Sequence, residues 1–577
     1  MLKAAGCCAD DWANVFATDT FDPKKVCACR FYGKVVLGNC QLVDSTIADC
    51  TLADGCKVIG VRLLKGYTVE TRSLLRNIGE LSADSQPYMP RLSPMNENGR
   101  RAIGVFRDMT VGDAFLWAKH RGEKAVMGKL QQLAENEAAL KPIGHVGKDC
   151  AITNCLCIRN VAVADGSTIE SCTSIEDGVV GNNCHIANGV IAQRFLLGEN
   201  VCLLNGLRLS DSVVGDNSTL ACCEVVASML FPAHEQHHNN SFLIAATLLG
   251  QCNIAAGATI GSNHNSRHPD GELLAGRGFW PALCSSFKHP SRFASYCLLA
   301  KADYPFELNI PLPFALVNNN VAKNRLEIMP AYWWLHNMYA LKRNALKFKK
   351  RDHRTYKRQH IEFDLLAPDT VEEIIDARRL IKAWTLQAYN PATAGVSRPD
   401  ERQIEIVAHG IENSKRKVLL LKPGKAYEAY GDMLVYYAMK TLTGNGSRLN
   451  PHYDCKSTDR VKKWHNIGGQ LVADTDLEKL FADMQQFTSW NDIHMRFDNL
   501  WNTYAEQRQR HAWLVLLDLL LADDIDDTQW LNLLDRYDTI CAEIERQADL
   551  SRAKDFNNPF RLMTFDSVEE RDAVLND

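Results

Sequence analysis

No stretch of this chain is apolar for long enough to cross a bilayer. Its greasiest run, residues 512–521, is interrupted by Asp518 and followed by Asp523 and Asp524. Excess charge is also missing. Sixty-five Lys and Arg stand against 69 Asp and Glu, a net charge of −4, and the pI is near 6.5, so nothing electrostatic argues for nucleic acid or a membrane surface. The opening MLKAAGCCADDWANVF has no basic segment leading into an apolar one. No secretory signal is read there, and a cytoplasmic protein is expected. Paired CxxC motifs at zinc-finger spacing are absent. The 20 cysteines, 18 of them within residues 1–297, occur singly, as CC or as CxC. They read as small buried hydrophobes of a reducing compartment, with neither a disulfide framework nor a metal expected. No glycine-rich nucleotide loop followed by a basic pair opens the chain.

What the chain does have is a period of 17. One apolar column reads Val146, Val163, Val180, Leu197, Val214, Phe231, Leu248. A second reads Ile152, Ile169, Ile186, Leu203, Leu220, His237, Ile254, and a third Ile158, Ile175, Ala192, Leu209, Val226, Leu243, Ile260. Gly147, Ala164, Gly181, Gly198 and Gly215 follow the first column. Two positions after these small residues come Asp149, Gly166, Asn183, Asn200 and Asn217, residues that tolerate a turn backbone. Short strands of this kind cannot bury their inner faces alone. Stacked as coils about 4.8 Å apart, they share one apolar axis. The same step links Leu42 to Ile59, Ile47 to Leu64 and Leu52 to Val69.

The expected fold is therefore a left-handed parallel β-helix of 17-residue coils with a helical insertion and an α-helical C-terminal domain. Residues 1–70 hold an N-terminal segment and the first coils. In residues 71–140 the pattern lapses into a turn-rich stretch and helix, read as an insertion packed on the solenoid. Residues 141–325 form the main β-helix. Residues 326–577 change to helical spacing, with TVEE at 370–373 read as a helix start.

Histidines gather where the columns are disturbed. The first segment is FPAHEQHHNN, residues 231–240, with His234, His237 and His238. The second is GSNHNSRHPDGE, residues 261–272, with His264 and His268. His234 and His268 are 34 apart, two coils, which in unbroken register places them on one face about 10 Å apart. His237 falls on an inward column. Acyl transfer from a thioester needs a base near neutrality, and imidazole supplies one, so His264, His268 and His234 are the candidate catalytic residues. Asn263 and Asn265 suit an oxyanion, and Arg267 and Lys288 suit phosphate. A polar stretch at 301–320, KADYPFELNIPLPFALVNNN, adds Glu307 and Asn318 as candidate substrate ligands.

An aliphatic residue followed by glycine at intervals of six resembles the hexapeptide repeat of left-handed β-helix proteins, most of which are acyltransferases. Taken with FDPKKVCACRFYGKVVLG, GSNHNSRHPDGE, the 301–320 stretch and AYWWLHNMYALKRNALKFKKRD, the chain resembles a family of large, functionally uncharacterised bacterial β-helix proteins. IAAGATIGSN before His264 is more loosely similar to the acetyltransferase half of the bifunctional uridylyltransferases that form UDP-N-acetylglucosamine. These resemblances imply a coenzyme A thioester donor, a sugar or sugar-nucleotide acceptor and a homotrimer. Two other readings stand beside this one. A metal enzyme resembling the β-helical carbonic anhydrases would need His234, His264 and His268 on one ion. A non-enzymatic scaffold or sugar-nucleotide-binding protein would account for the large helical region.

Overall fold

Strand pairing follows the recurrence. In the computed structural model, which describes residues 1–84, 87–261, 271–389, 405–556 and 558–575, Val146 lies opposite Val163, Ile152 opposite Ile169 and Ile158 opposite Ile175. The result is a parallel β-solenoid, one 32-stranded system from Cys8–Ala9 to Asn309–Ile310. Each turn bends at three corners, and at each corner one residue takes the left-handed conformation. Asp149, Asn183, Asn200 and Asn217 form one such column with φ of 55–59°. Asn154, Ser171, Asn188 and Asn205 form a second, and Asn160, Asp177, Arg194 and Asp211 a third. Asn and Asp carry the smallest penalty there after glycine.

The columns slip by one residue where the histidines begin. Leu209 pairs with Val225, Val214 with Leu230 and Leu220 with Gln236, and these in turn precede Leu243 and Leu248. The corner around Cys222 is one residue short, so Val226, Phe231 and His237 leave the inward columns to which their spacing assigned them. Phe231 is fully buried all the same. It points outward, and its ring meets Phe115 of the insertion edge-on at 5.0 Å. His237 is partly exposed beside Glu235, 3.2 Å away.

The cysteines fill inner corners. Cys150, Cys184 and Cys252 are buried on one column that also carries Ser167, Ser218 and His234. Their thiols donate to backbone carbonyls freed by the bend, Cys184 to Gly198 at 3.1 Å and Cys252 to Gly250 at 3.2 Å. The hydroxyls do the same, Ser167 to Gly181 at 2.7 Å. A small side chain with a weak donor suits this position. Every cysteine is a free thiol.

The helical insertion starts later than the fading apolar pattern implied. Leu74–Ser82 is still solenoid, pairing with Lys57–Lys65 on one side and with Ala151–Thr153 and Cys157–Val163 on the other. After it come α1, Val111–Lys119, capped by a Thr110–Asp113 box, and α2, Lys124–Leu140. At the far end Leu316–Asn320 turns back on Arg325–Met329 as an antiparallel hairpin, and Val418–Leu420 pairs beyond it. Those strands cover an edge that would otherwise be open.

The C-terminal region is helical. It contains α3, Tyr332–His336, α4, Met338–Lys350, α5, Pro368–Tyr389, α6, Pro423–Leu442, α7, Asp474–Asp483, α8, Trp490–Leu520, and α9, Asp527–Phe556. Helix α5 begins at Pro368, before TVEE. Proline suits a first helical turn, and Thr370 Oγ1 instead bonds back to Leu365 and Ala367. Buried ionic contacts lock this region onto the solenoid. Arg354 joins Asp216 at 2.8 Å and Asp352 at 2.7 Å. The Glu199 carboxylate accepts from the successive backbone N–H groups of Thr355, Tyr356 and Lys357. Arg277, 2% exposed, holds Asp369 of α5 at 2.8 Å. Helix α1 packs on the same region, its Asp113 2.8 Å from His494 of α8.

Candidate functional site

His264, His268, Asn263, Asn265 and Arg267 lie outside the described residues. His234 is 0% exposed inside the solenoid. Its Nε2 lies 3.2 Å from Gln236 Oε1, Gln236 donates to Ser241 at 3.1 Å, and its Nδ1 has no partner. Burial pushes its pKa down to about 4, so it is a neutral core imidazole, turned away from any groove. The 34-residue count does not measure two coils either. Leu248 pairs with Ala275, a step of 27. Two turns on from His234 stands Phe279.

Lys288 and Glu307 are brought together. Their ion pair is 2.7 Å, and Asn413 Nδ2 donates to the same carboxylate at 3.0 Å. Asn318 sits on the end hairpin, 3.5 Å from Glu327, which is already held by Arg325 and Asn320. All three residues spend their polar atoms on the structure around the solenoid's end.

The geometry places a cavity elsewhere. A cleft of about 530 Å³ runs between the last coils and α5, lined by Arg292, Asn309 and Pro311 on one wall and Glu373, Arg379 and Leu380 on the other. Arg292 pairs with Leu274 in the adjoining coil. The Arg292 side chain is exposed and has no ion-pair partner among the described residues. Ser295 N donates to Glu373 Oε2 at 2.9 Å. Burial, aided by the nearby Asp369 charge, raises the Glu373 carboxyl to about 7, against the opposing pull of Ser295 and Arg277. A carboxyl poised at neutrality in a cleft can hold or release a proton next to a bound substrate.

Sequence reasoning passed over Glu373 because it read as an ordinary early-turn carboxylate. It passed over Arg292 because the strand around it is short and off the main columns. Among the described residues, no three His, Cys, Asp or Glu side chains form a group able to hold a metal ion, and no helix is long and apolar enough to cross a membrane.

A parallel β-solenoid fused to a helical region, with a cleft at their junction, defines the class. Residues 1–385 match the family described as Domain of unknown function (DUF4954), and the chain belongs to that family. It is similar to an uncharacterised protein of Treponema pallidum (strain Nichols), with 38% identity over an alignment covering 98% of this chain and 87% of that protein.

Proposed function

We propose that this protein transfers an acyl group from a coenzyme A thioester to a hydroxyl or amine of a sugar or sugar nucleotide, in the cleft between the solenoid and α5. The observation that carries this reading is Glu373, a carboxyl raised to about 7 in a 530 Å³ cleft that Arg292 also lines. The Arg292 guanidinium matches phosphate oxygens of a nucleotide-bearing substrate, whereas Arg379 is already paired with Asp376. A base, Glu373 or one of His264 and His268, takes the acceptor proton. The acceptor then attacks the thioester carbonyl, and the coenzyme leaves as a thiol. The proposal includes a left-handed coil of 17 residues, in keeping with the hexapeptide resemblance and the looser likeness to the acetyltransferase half of the uridylyltransferases. It also includes a cytoplasmic homotrimer in which neighbouring solenoids share the acceptor.

The test is calorimetric titration with acetyl-CoA and nucleotide sugars, followed by chromatographic detection of released coenzyme A. The expected result is turnover that rises with pH through about 7, lost in Glu373→Gln, with weakened donor binding in Arg292→Ala. Wild-type protein that neither binds the donor nor releases coenzyme A overturns the proposal. A second reading, a sugar-nucleotide-binding scaffold, draws on the ionic anchors that fix the helical region to the solenoid. It predicts nucleotide-sugar binding without turnover, unchanged by Glu373→Gln.

A further inference from the structure

A separate pocket opens on the middle of the solenoid, where three distant stretches of chain meet. Its floor is Ala162, Val163, Ala164 and Asp165 with Val179, Val180 and Asn182 of the next turn. His145 stands at one side, Arg107 comes from the loop before α1, and Tyr356 and Arg358 come from the strap that follows α4. The space is about 160 Å³, far above the ~10–15 Å³ that one water needs.

Both carboxylates in its lining have hydrogen-bond partners. Asp108 is neutralised by Lys141 at 3.0 Å and by Arg358 at 2.5 Å. Asp165 accepts from Lys148 N at 2.8 Å and from the Tyr356 hydroxyl at 3.0 Å. Arg107 is half-buried and makes no hydrogen bond or ion pair among the described residues, although the charges of Asp108, Glu70 and Asp165, in that order, act on it from nearby. His145, also half-buried, has no side-chain partner among them. Burial, with the Arg107 charge beside it, pushes its pKa down to about 4, so it faces the pocket as a neutral imidazole with one N–H to give. A guanidinium held out of bulk water without an acceptor is costly unless a ligand completes it.

We propose that this pocket is a binding site for a small oxyanion, a carboxylate or phosphate group, gripped by the Arg107 guanidinium and the His145 N–H. Planar guanidinium geometry suits either group in a bidentate contact. The site is distinct from the cleft at Glu373 and shares no residue with it.

The test titrates the full chain with inorganic phosphate and, separately, with malonate, against sodium chloride at matched ionic strength. Thermal unfolding and calorimetry are read together. At least one oxyanion is expected to raise the unfolding midpoint, and the arm that responds tells phosphate from carboxylate. Arg107→Ala is expected to weaken that affinity about tenfold or more, with Arg107→Lys intermediate and His145→Gln weaker than wild type. Arg292→Ala should leave it unchanged. Circular dichroism identical to wild type shows that the variants fold. The proposal is overturned by no response from wild type to either anion at tens of millimolar. A response that survives Arg107→Ala, or that Arg292→Ala removes, overturns it equally.

Discussion

Replacing His234 by Gln should remove an acid sensitivity built into the solenoid core. The imidazole is fully buried and titrates near 4 in the folded chain, against about 6.5 when unfolded. The unfolded state therefore binds the proton more readily, and stability falls as pH drops through 6.5, levelling off below about 4. Linkage puts the loss from this one group at about 1.4 kcal/mol at pH 5.5 and about 2.6 kcal/mol at pH 4.5, relative to neutral pH. His120 and His145, also held near 4, act in the same direction, whereas His494, raised by Asp113, acts against them. The difference between variant and wild type isolates His234. Urea unfolding followed by circular dichroism at pH 7.5, 5.5 and 4.5 measures it. His234→Gln should gain on wild type by those amounts as the pH falls. Parallel profiles would refute the reasoning, because they would mean that the imidazole is solvated or paired when protonated.

Asp369→Ala strands the buried Arg277 guanidinium and should cost about 3–5 kcal/mol in urea unfolding, most of it recovered in Arg277→Met, Asp369→Leu. In Gly178→Ala the new methyl would sit 2.5 Å from the Phe195 ring. A loss of about 1–3 kcal/mol is expected, partly restored by adding Phe195→Leu. A thiol reagent on native protein should label Cys8, Cys27 and Cys284, which are exposed. Cys40 and Cys252, buried and pushed up to about 12, should react only after denaturation. Rapid native labelling of buried thiols would contradict the inner-corner placement.

The apolar columns and the Asn and Asp corners were legible in the chain because each turn of a solenoid presents the next with the same surroundings. A local pattern repeated in register is then enough to say which residues face inward and where the backbone bends. That logic failed where one corner lost a residue. A shortened turn leaves composition untouched, yet it moved Val226, Phe231 and His237 off the axis. The end of the first solenoid section was hidden for a different reason, since Leu74–Ser82 carries polar residues on its outer side and pairs on both edges all the same.

The candidate sites were far less readable. Sequence drew attention to the histidines because they interrupt the columns, but His234 proved to be core, and Lys288, Glu307 and Asn318 proved to be partnered structure. Glu373 acquires its raised pKa only when α5 docks against Ser295 and Arg277. Arg107, His145 and Arg358 meet only because the insertion and the strap cross the same solenoid face. The sequence by itself determined the repeating scaffold, since neighbour-to-neighbour stacking is local and periodic. Tertiary structure alone decided which polar groups face a cavity, because burial and charge there come from segments with no periodic relation to one another.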